Sequence, residues 1–156
     1  MLGVMAELPA RPGARPKTSA SGSHRQLSQR SQPAVWGRTA AAVFSLRHVV
    51  EGCSAQCAVS SRAVFLEELL QPRTAETSLA PIGERLEPVH LHGVFDTSLH
   101  LCLPVERARE VCGLGWGEPR FYAGHETEIM VYGPRNRDEL ASVLDIVRES
   151  IAFARG

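Results

Sequence analysis

Three histidines in the middle of the chain have the spacing that points most directly to chemistry. His90, His92 and His100 alternate with apolar residues in two stretches, 87–94 and 98–103, which flank a polar turn. Strict alternation of this kind predicts a β-hairpin. Neutral imidazole is a good ligand for zinc, copper, iron or nickel, and three protein ligands with one open position are typical of catalytic zinc. The histidines are therefore candidates for a metal site, for a ligand-binding or general-base site, or for a structural role.

The side chains of this hairpin predict its register. Residues two apart on a strand share a face, and so do directly opposed residues on paired strands. A loop of odd length, such as 95–97, pairs His92 with His100 and places five apolar residues on one face, which are Val89, Leu91, Leu99, Leu101 and Leu103. The opposite face then collects His90, His92, Ser98, His100 and Cys102. We therefore expect an apolar core face and a face that carries the histidines, on which the hairpin itself places no Asp or Glu.

A second candidate for ligand binding lies at the start of a predicted long helix. Gly133-Pro134 breaks a strand, and Arg135 and Arg137 follow at the helix N-terminus, where free N–H groups and the helix dipole favour an anion. The alternative is a turn and helix cap in which Arg135 pairs with an acid such as Glu128 or Asp138. A loop that binds phosphate needs more glycine than this one has, which favours the cap.

The elements that must position these residues predict an α+β fold. We expect a helix over 60–71, hairpin strands at 87–94 and 98–103, a short helix opened by Pro104, strands at 120–123 and 127–132, and a long helix capped by Asn136. The long helix has an apolar stripe formed by Leu140, Val143, Leu144, Val147, Ile151 and Ala154. Short strands joined by hairpins predict a two-layer sandwich, with a mostly antiparallel sheet of about four strands and helices packed on one face.

Charge divides the chain into two parts. Residues 1–50 contain seven Arg or Lys and a single acid, whereas residues 51–156 contain ten basic and sixteen acidic residues. We predict a basic, disordered arm over 1–59 and a folded domain over 60–156, and we expect residues 1–35 to be dispensable for folding. An unstructured tail, a misassigned start of the reading frame, an organelle transit peptide and a nucleic-acid-binding arm are the interpretations that fit this composition.

Composition and motifs argue against several classes of protein. The best apolar run, 39–46, is too short to span a membrane, and no aromatic residue stands among the basic residues before Trp36, so neither a membrane nor a nucleic acid is an expected partner. Cys53 and Cys57 lack a second pair at zinc-finger spacing, which predicts reduced, structural thiols in a cytoplasmic protein, or an organellar one if the arm is a transit peptide. Dinucleotide-binding, P-loop and serine-hydrolase motifs are absent from the sequence.

Four motifs in the second half of the chain resemble the luciferase domain family of small bacterial and fungal proteins. They are Pro88-Val89-His90-Leu91-His92, the run from Asp96 to Pro104, Gly115-Trp116-Gly117-Glu118-Pro119, and Met130-Val131-Tyr132-Gly133-Pro134-Arg135. The resemblance covers about residues 84–156 and preserves the order and spacing of the motifs. One departure is Arg120, which stands where the family commonly has a histidine. The function of these proteins is largely unknown, so the resemblance implies no particular reaction.

Three functions are compatible with these observations. The first is a small domain that binds a small-molecule ligand or acts as a scaffold. The second is a histidine- or metal-dependent enzyme that uses the face of His90, His92 and His100. The third is an interaction module whose basic arm contacts an acidic partner. A pocket over the histidine face would favour the enzyme over the non-catalytic domain, whereas an open face would remove most of the support for an enzyme.

Overall fold

The helices and strands form an α+β fold, as predicted. The computed structural model describes residues 5, 7–54, 60–72, 74–120 and 125–156. Its helices, within these ranges, are α1 (Pro33–Phe44), α2 (Val105–Gly113) and α3 (Arg137–Arg155), with one turn of 3-10 helix at Ala75–Thr77. The strands of the described ranges are β1 (Val49–Cys53), β2 (Arg62–Leu66), β3 (Val89–Leu91), β4 (Leu99–Cys102), β5 (Gly117–Pro119) and β6 (Glu128–Val131). The sheet thus has six strands rather than about four.

The sheet is antiparallel throughout and places the predicted hairpin at its centre. The strand order is β1-β2-β3-β4-β6-β5, so β2 and β6 flank the hairpin formed by β3 and β4. One face of the sheet packs against the three helices in a single apolar core, whose strand members are Val64, Leu66, Val89, Leu91, Leu99, Leu101, Ile129 and Val131. Within the described residues, no helix combines the length and apolar character needed to cross a membrane.

The register of the hairpin has the predicted parity but not the predicted pairs. His90 lies opposite His100, and Leu91 lies opposite Leu99, so the expected pairing of His92 with His100 is wrong by two residues. The turn spans five residues because the Gly93 carbonyl accepts hydrogen bonds from the N–H groups of both Asp96 and Thr97, each at 3.0 Å. A shift of two residues keeps every side chain on its face, which is why the apolar face and the histidine face are as predicted.

Residues 62–66 form strand β2, where the sequence predicted a helix over 60–71. Val64 and Leu66 point into the core, and Val64 pairs with Val89 of the neighbouring strand. Leu69, a member of the predicted helical stripe, is 80% exposed. The error arises because apolar residues in a short run satisfy both the helical and the strand period, so that tertiary pairing decides between them.

The long helix and the short helix after Pro104 are confirmed. The Asn136 side chain caps α3 by accepting a hydrogen bond of 2.9 Å from the N–H of Glu139. Ile146 is fully buried whereas Leu144 is half-buried, so the core-facing side of the helix is turned slightly from the predicted stripe. Strand β6 confirms the strand expected at 127–132. Strand β5 precedes the strand expected at 120–123, most of which lies outside the described residues.

Ordered elements within residues 33–53 correct the predicted boundary at residue 59. Helix α1 packs against α3, and β1 pairs with β2 along its whole length. The helix begins at Pro33, which suits the first turn because its N–H is not needed there, and it buries Trp36 and Val43 in the core. The low content of acidic residues led to the prediction of an arm. It does not prevent α1 from forming, because the helix is stabilised by the apolar side chains that it buries.

Candidate functional site

The hairpin brings the three predicted histidines together, and we name His90, His92 and His100 the histidine cluster. His90 and His100 are direct cross-strand neighbours, and His92 follows β3 with its N–H bonded to the Ser98 carbonyl at 2.9 Å. The ring centroids lie 5.2 Å apart for His90 and His92, 5.2 Å for His90 and His100, and 4.6 Å for His92 and His100. All three side chains are buried, and one ligand atom from each lies within 4.8 Å of the others.

Two carboxylates that the hairpin pattern did not place on this face support the histidine cluster. Glu87 Oε2 lies 2.9 Å from His90 Nδ1, and Asp96 Oδ2 lies 3.1 Å from His92 Nδ1. Glu87 has the parity of the leucine face, but it precedes β3 and so does not follow the alternation of that strand. Asp96 belongs to the five-residue turn. The alternation of the strands therefore could not predict either contact. The one feature of the sequence that pointed to these two acids is that they stand within a few residues of the histidines.

His100 is the least constrained member of the cluster. Its side chain is 2% exposed, and neither ring nitrogen has a hydrogen-bond partner among the residues that the structure describes. Burial lowers the pKa of His100 well below its ordinary value, and the neighbouring His92 and His90 lower it further when they are charged. The imidazole is therefore neutral at pH 7, and its lone pair is available to a ligand.

Residues 7–31 form what we name the N-terminal segment, and part of this segment covers the histidine side of the sheet. The His24 ring lies 5.5 Å from that of His100, and its Nε2 lies 3.1 Å from Glu118 Oε2. The N–H of the fully buried Gln26 donates to Asp96 Oδ1 at 3.2 Å. The histidine face is thus covered by a part of the chain that the sequence pattern assigned to a disordered arm.

A cavity of about 470 Å³ lies between the N-terminal segment and the histidine cluster. Its lining includes His92, His100, Asp96, His24, Arg25, Ser60, Ser61, Phe95 and Arg120. This volume falls within the range of small-molecule sites, which combine a concave shape with a few converging polar groups. His24, Arg25 and Arg120 are lining residues that the hairpin pattern alone could not identify, because they come from distant parts of the sequence.

Arg135, the other predicted site residue, lies in the cap of α3 and does not line this cavity. Its guanidinium pairs with Glu139, with Nε at 2.9 Å from Oε1, and donates to the Pro12 carbonyl at 2.7 Å. Burial alone would raise the pKa of Glu139, but the hydrogen bonds and the charge of Arg135 outweigh it and lower that pKa. The acid that pairs with Arg135 is therefore Glu139, rather than the Glu128 or Asp138 considered from the sequence.

The cysteines of the described residues show no reactive thiol site. Cys53 is exposed, Cys112 is half-buried and Cys102 is buried, and all three are free thiols. Burial raises the pKa of Cys112 to about 11 and raises that of Cys102 further, so both stay protonated at neutral pH. Cys57, the other member of the spacing noted in the sequence, lies outside the described residues.

The fold and the site define a small α+β domain with a covered, histidine-lined cavity. Residues 85–150 match the family described as Luciferase domain, which confirms the resemblance identified over 84–156. The match includes the whole histidine cluster together with Glu87 and Asp96.

Fungal proteins named Luciferase are similar to this chain. The one from Armillaria gallica is 29% identical over 165 residues, covering 94% of this chain and 61% of that protein. Those from Armillaria mellea and Neonothopanus nambi are 38% and 37% identical over 73 residues, covering 43% of this chain and 27% of theirs. The chain therefore spans less than two thirds of the length of these relatives. No solved structure matches it.

Proposed function

We propose that this chain binds a small organic molecule in the cavity above the histidine cluster. The observation that carries the proposal is a cavity of about 470 Å³ whose lining includes His92 and His100, both of them buried. Enclosure by the N-terminal segment on one side and the hairpin turn on the other is typical of ligand sites.

The lining favours a flat ligand with hydrogen-bonding groups. Phe95 is 87% exposed at the rim of the cavity, where its ring offers a surface for stacking. The imidazoles of His92 and His100 offer polar atoms at the level of the sheet. Arg120 also lines the cavity, but it is paired with Glu128, so the cavity does not present an unpaired charge at that position.

Catalysis in the same cavity is a second candidate function, and the carboxylate contacts of the histidines favour it. A carboxylate on Nδ1 fixes the ring orientation and the tautomer of a histidine and raises the basicity of the other nitrogen. Asp96 has this relation to His92, and Glu87 has it to His90. A ligand in the cavity would therefore meet the His92 imidazole already oriented, which is the arrangement that acid–base chemistry needs.

The test is whether small flat compounds bind in this cavity. We would screen heteroaromatic compounds by ligand-observed NMR and compare the chain with Ser60→Trp, which places a large ring at the exposed edge of the cavity. Ser45→Trp, on the exposed end of α1, is the matched control. We expect compounds that bind the chain and Ser45→Trp but lose at least ~10-fold in affinity for Ser60→Trp. Binding that Ser60→Trp leaves intact, or no binding at all, would overturn the proposal.

A further inference from the structure

We propose that His90, His92 and His100 bind one divalent first-row transition-metal ion. The inference goes beyond the proposed small-molecule cavity, because it concerns what the histidines themselves hold. Its first support is geometric: one ligand atom of each side chain lies within 4.8 Å of the other two, and all three residues are buried. The central hairpin of the sheet fixes this arrangement, since His90 and His100 are cross-strand partners and His92 follows two residues after His90.

The second support is the pair of carboxylates behind the cluster. A histidine that binds a metal through one nitrogen usually donates its other N–H to a carboxylate or a carbonyl, which holds the ring and its tautomer. Glu87 lies 2.9 Å from His90 Nδ1, and Asp96 lies 3.1 Å from His92 Nδ1. Nδ1 of His90 faces Glu87, and Nδ1 of His92 faces both Asp96 and the Ser98 hydroxyl, whose Oγ lies 2.9 Å away. With Nδ1 engaged in these contacts, Nε2 is the atom that would bind the metal.

The third support is His100, a buried polar side chain without a hydrogen-bond partner. Both of its ring nitrogens lack one among the described residues, although the side chain is only 2% exposed. Buried polar groups in native proteins are almost always paired, so an unpartnered one calls for an explanation, such as a functional role or a bound ion. A metal shared with His90 and His92 would satisfy one of these two nitrogens.

The ligand atoms of the histidine cluster lie slightly farther apart than the nitrogens that surround a bound metal ion. Zinc–nitrogen bonds of about 2.1 Å in tetrahedral geometry place ligand nitrogens roughly 3.4 Å apart. Ligand atoms that lie up to 4.8 Å apart must therefore approach one another by up to ~1.4 Å. His90 and His92 are held by their carboxylates, whereas no hydrogen bond within the described residues holds the His100 ring. Rotation of His100 is therefore the movement that completes the site.

The donor set selects the class of metal. Three neutral imidazoles suit zinc, copper, nickel or ferrous iron, while calcium and magnesium prefer oxygen ligands. Because the cavity reaches His92 and His100, three protein ligands would leave a position open toward it. A small molecule in the cavity could then approach the metal directly.

The experiment measures metal binding by the untagged chain of residues 1–156. Equilibrium dialysis against Zn²⁺ followed by elemental analysis should give one ion per chain, and Mg²⁺ should give none. Co²⁺ should give the strong visible absorption of a four- or five-coordinate site, a readout that needs no variant. His92→Gln and His100→Gln should weaken Zn²⁺ binding at least ~100-fold, because each removes one of three ligands. Glu87→Gln and Asp96→Asn should weaken it ~10- to ~100-fold and change the Co²⁺ spectrum, as expected for positioning residues.

His48→Gln is the matched control, since His48 is exposed and pairs with Glu67 outside the cluster. It should bind Zn²⁺ like the unaltered chain. A Zn²⁺ content below ~0.1 per chain at saturating metal, a six-coordinate Co²⁺ spectrum, or an equal loss in His48→Gln would overturn the metal site. Compounds that still bind the metal-free chain would keep the proposed small-molecule function, so the two proposals fail separately.

Discussion

At the scale of single residues, Asp96 connects the parts of the candidate site. One carboxylate oxygen lies 3.1 Å from His92 Nδ1, and the other accepts hydrogen bonds from the Ser98 N–H at 3.1 Å and the Gln26 N–H at 3.2 Å. The side chain therefore joins the histidine cluster, the hairpin turn and the N-terminal segment. Its burial makes each of these contacts costly to lose, because no solvent replaces the acceptor.

Asp96→Ala should lower the free energy of unfolding by about 2–4 kcal/mol, because it leaves two buried N–H donors and the Ser98 hydroxyl without their acceptor. Urea denaturation at pH 7 measures this loss. Asp145→Ala is the control, since Asp145 forms a partly exposed pair with Arg148 and its loss should cost less than ~1 kcal/mol. Equal effects of the two substitutions would show that the Asp96 contacts do not hold the site together.

The Glu139 carboxylate should make stability depend on pH in the acid range. Its pKa is lowered in the folded chain from an ordinary value near 4.5, because the contacts with Arg135 outweigh burial. A lowered pKa contributes stability above the unfolded value, and that contribution is lost as pH falls through the folded value.

We therefore expect Glu139→Gln to be less stable than the unaltered chain at pH 7, with a difference that shrinks steadily below about pH 4.5. Thermal melts across this range measure the difference. Glu106→Gln is the control, because Glu106 is exposed, and its stability at neutral pH should differ much less from that of the unaltered chain. If the stability difference between the unaltered chain and Glu139→Gln grew as the pH fell, the pKa of Glu139 could not be lowered in the folded chain.

At the scale of elements, strict periodicity made some features predictable, whereas features decided by tertiary pairing were missed. Alternation over 89–91 and 99–102 fixes the faces of the hairpin, so the histidine cluster was predictable. The turn length was not, since shifts of two residues preserve the alternation. Strand β2 was predicted as a helix because its apolar residues also fit the helical period, and only pairing with β1 and β3 settles it.

The close approach of the hairpin turn to the start of α3 is an element-scale constraint that one glycine makes possible. A Cβ added to Gly133 would lie 2.0 Å from the Thr97 carbonyl oxygen and 2.7 Å from Ser31 Oγ. Backbone atoms cannot give way as a flexible side chain can, so the two segments would have to separate.

Gly133→Ala should therefore destabilise the chain by about 2 kcal/mol or more, through overpacking rather than a lost contact. Gly37→Ala is the matched control, because nothing lies within 4 Å of the added Cβ and the residue sits inside helix α1. There alanine should raise stability by about 0.5–1 kcal/mol. Denaturant melts that show a loss of stability for Gly133→Ala and a gain for Gly37→Ala would support this packing. If both variants were stabilised, the turn would have to lie away from Gly133.

At the scale of the whole molecule, composition misdescribed the first third of the chain. Residues 1–50 are basic and poor in acids, which is typical of a disordered arm. The structure instead joins the N-terminal segment to the domain through polar contacts between distant residues. Gln26 Oε1 accepts from the Gly133 N–H at 2.9 Å, and Trp116 Nε1 donates to the Pro9 carbonyl at 2.6 Å. Such contacts leave no periodic pattern in the sequence, so neither hydropathy nor charge could reveal them.

Deletion of residues 1–31 should consequently destabilise the chain, contrary to the dispensable arm expected from composition. The deletion spares α1 but removes the buried acceptor of Gly133, the acceptor of Trp116 and the ring that lies over His100. We expect a loss of at least ~3 kcal/mol in the free energy of unfolding, since several buried donors lose their partners at once.

Gln26→Ala isolates the main contact and should cost about 1–3 kcal/mol on its own, because its fully buried amide bonds Gly133 and two carbonyls of the segment. Lys17→Ala, an exposed position on the same segment, should cost less than ~0.5 kcal/mol. Urea denaturation of the three variants beside the full chain measures these differences. If the deleted chain unfolds at the same urea concentration as the full one, the segment is an arm in solution and the cavity above the histidine cluster is open.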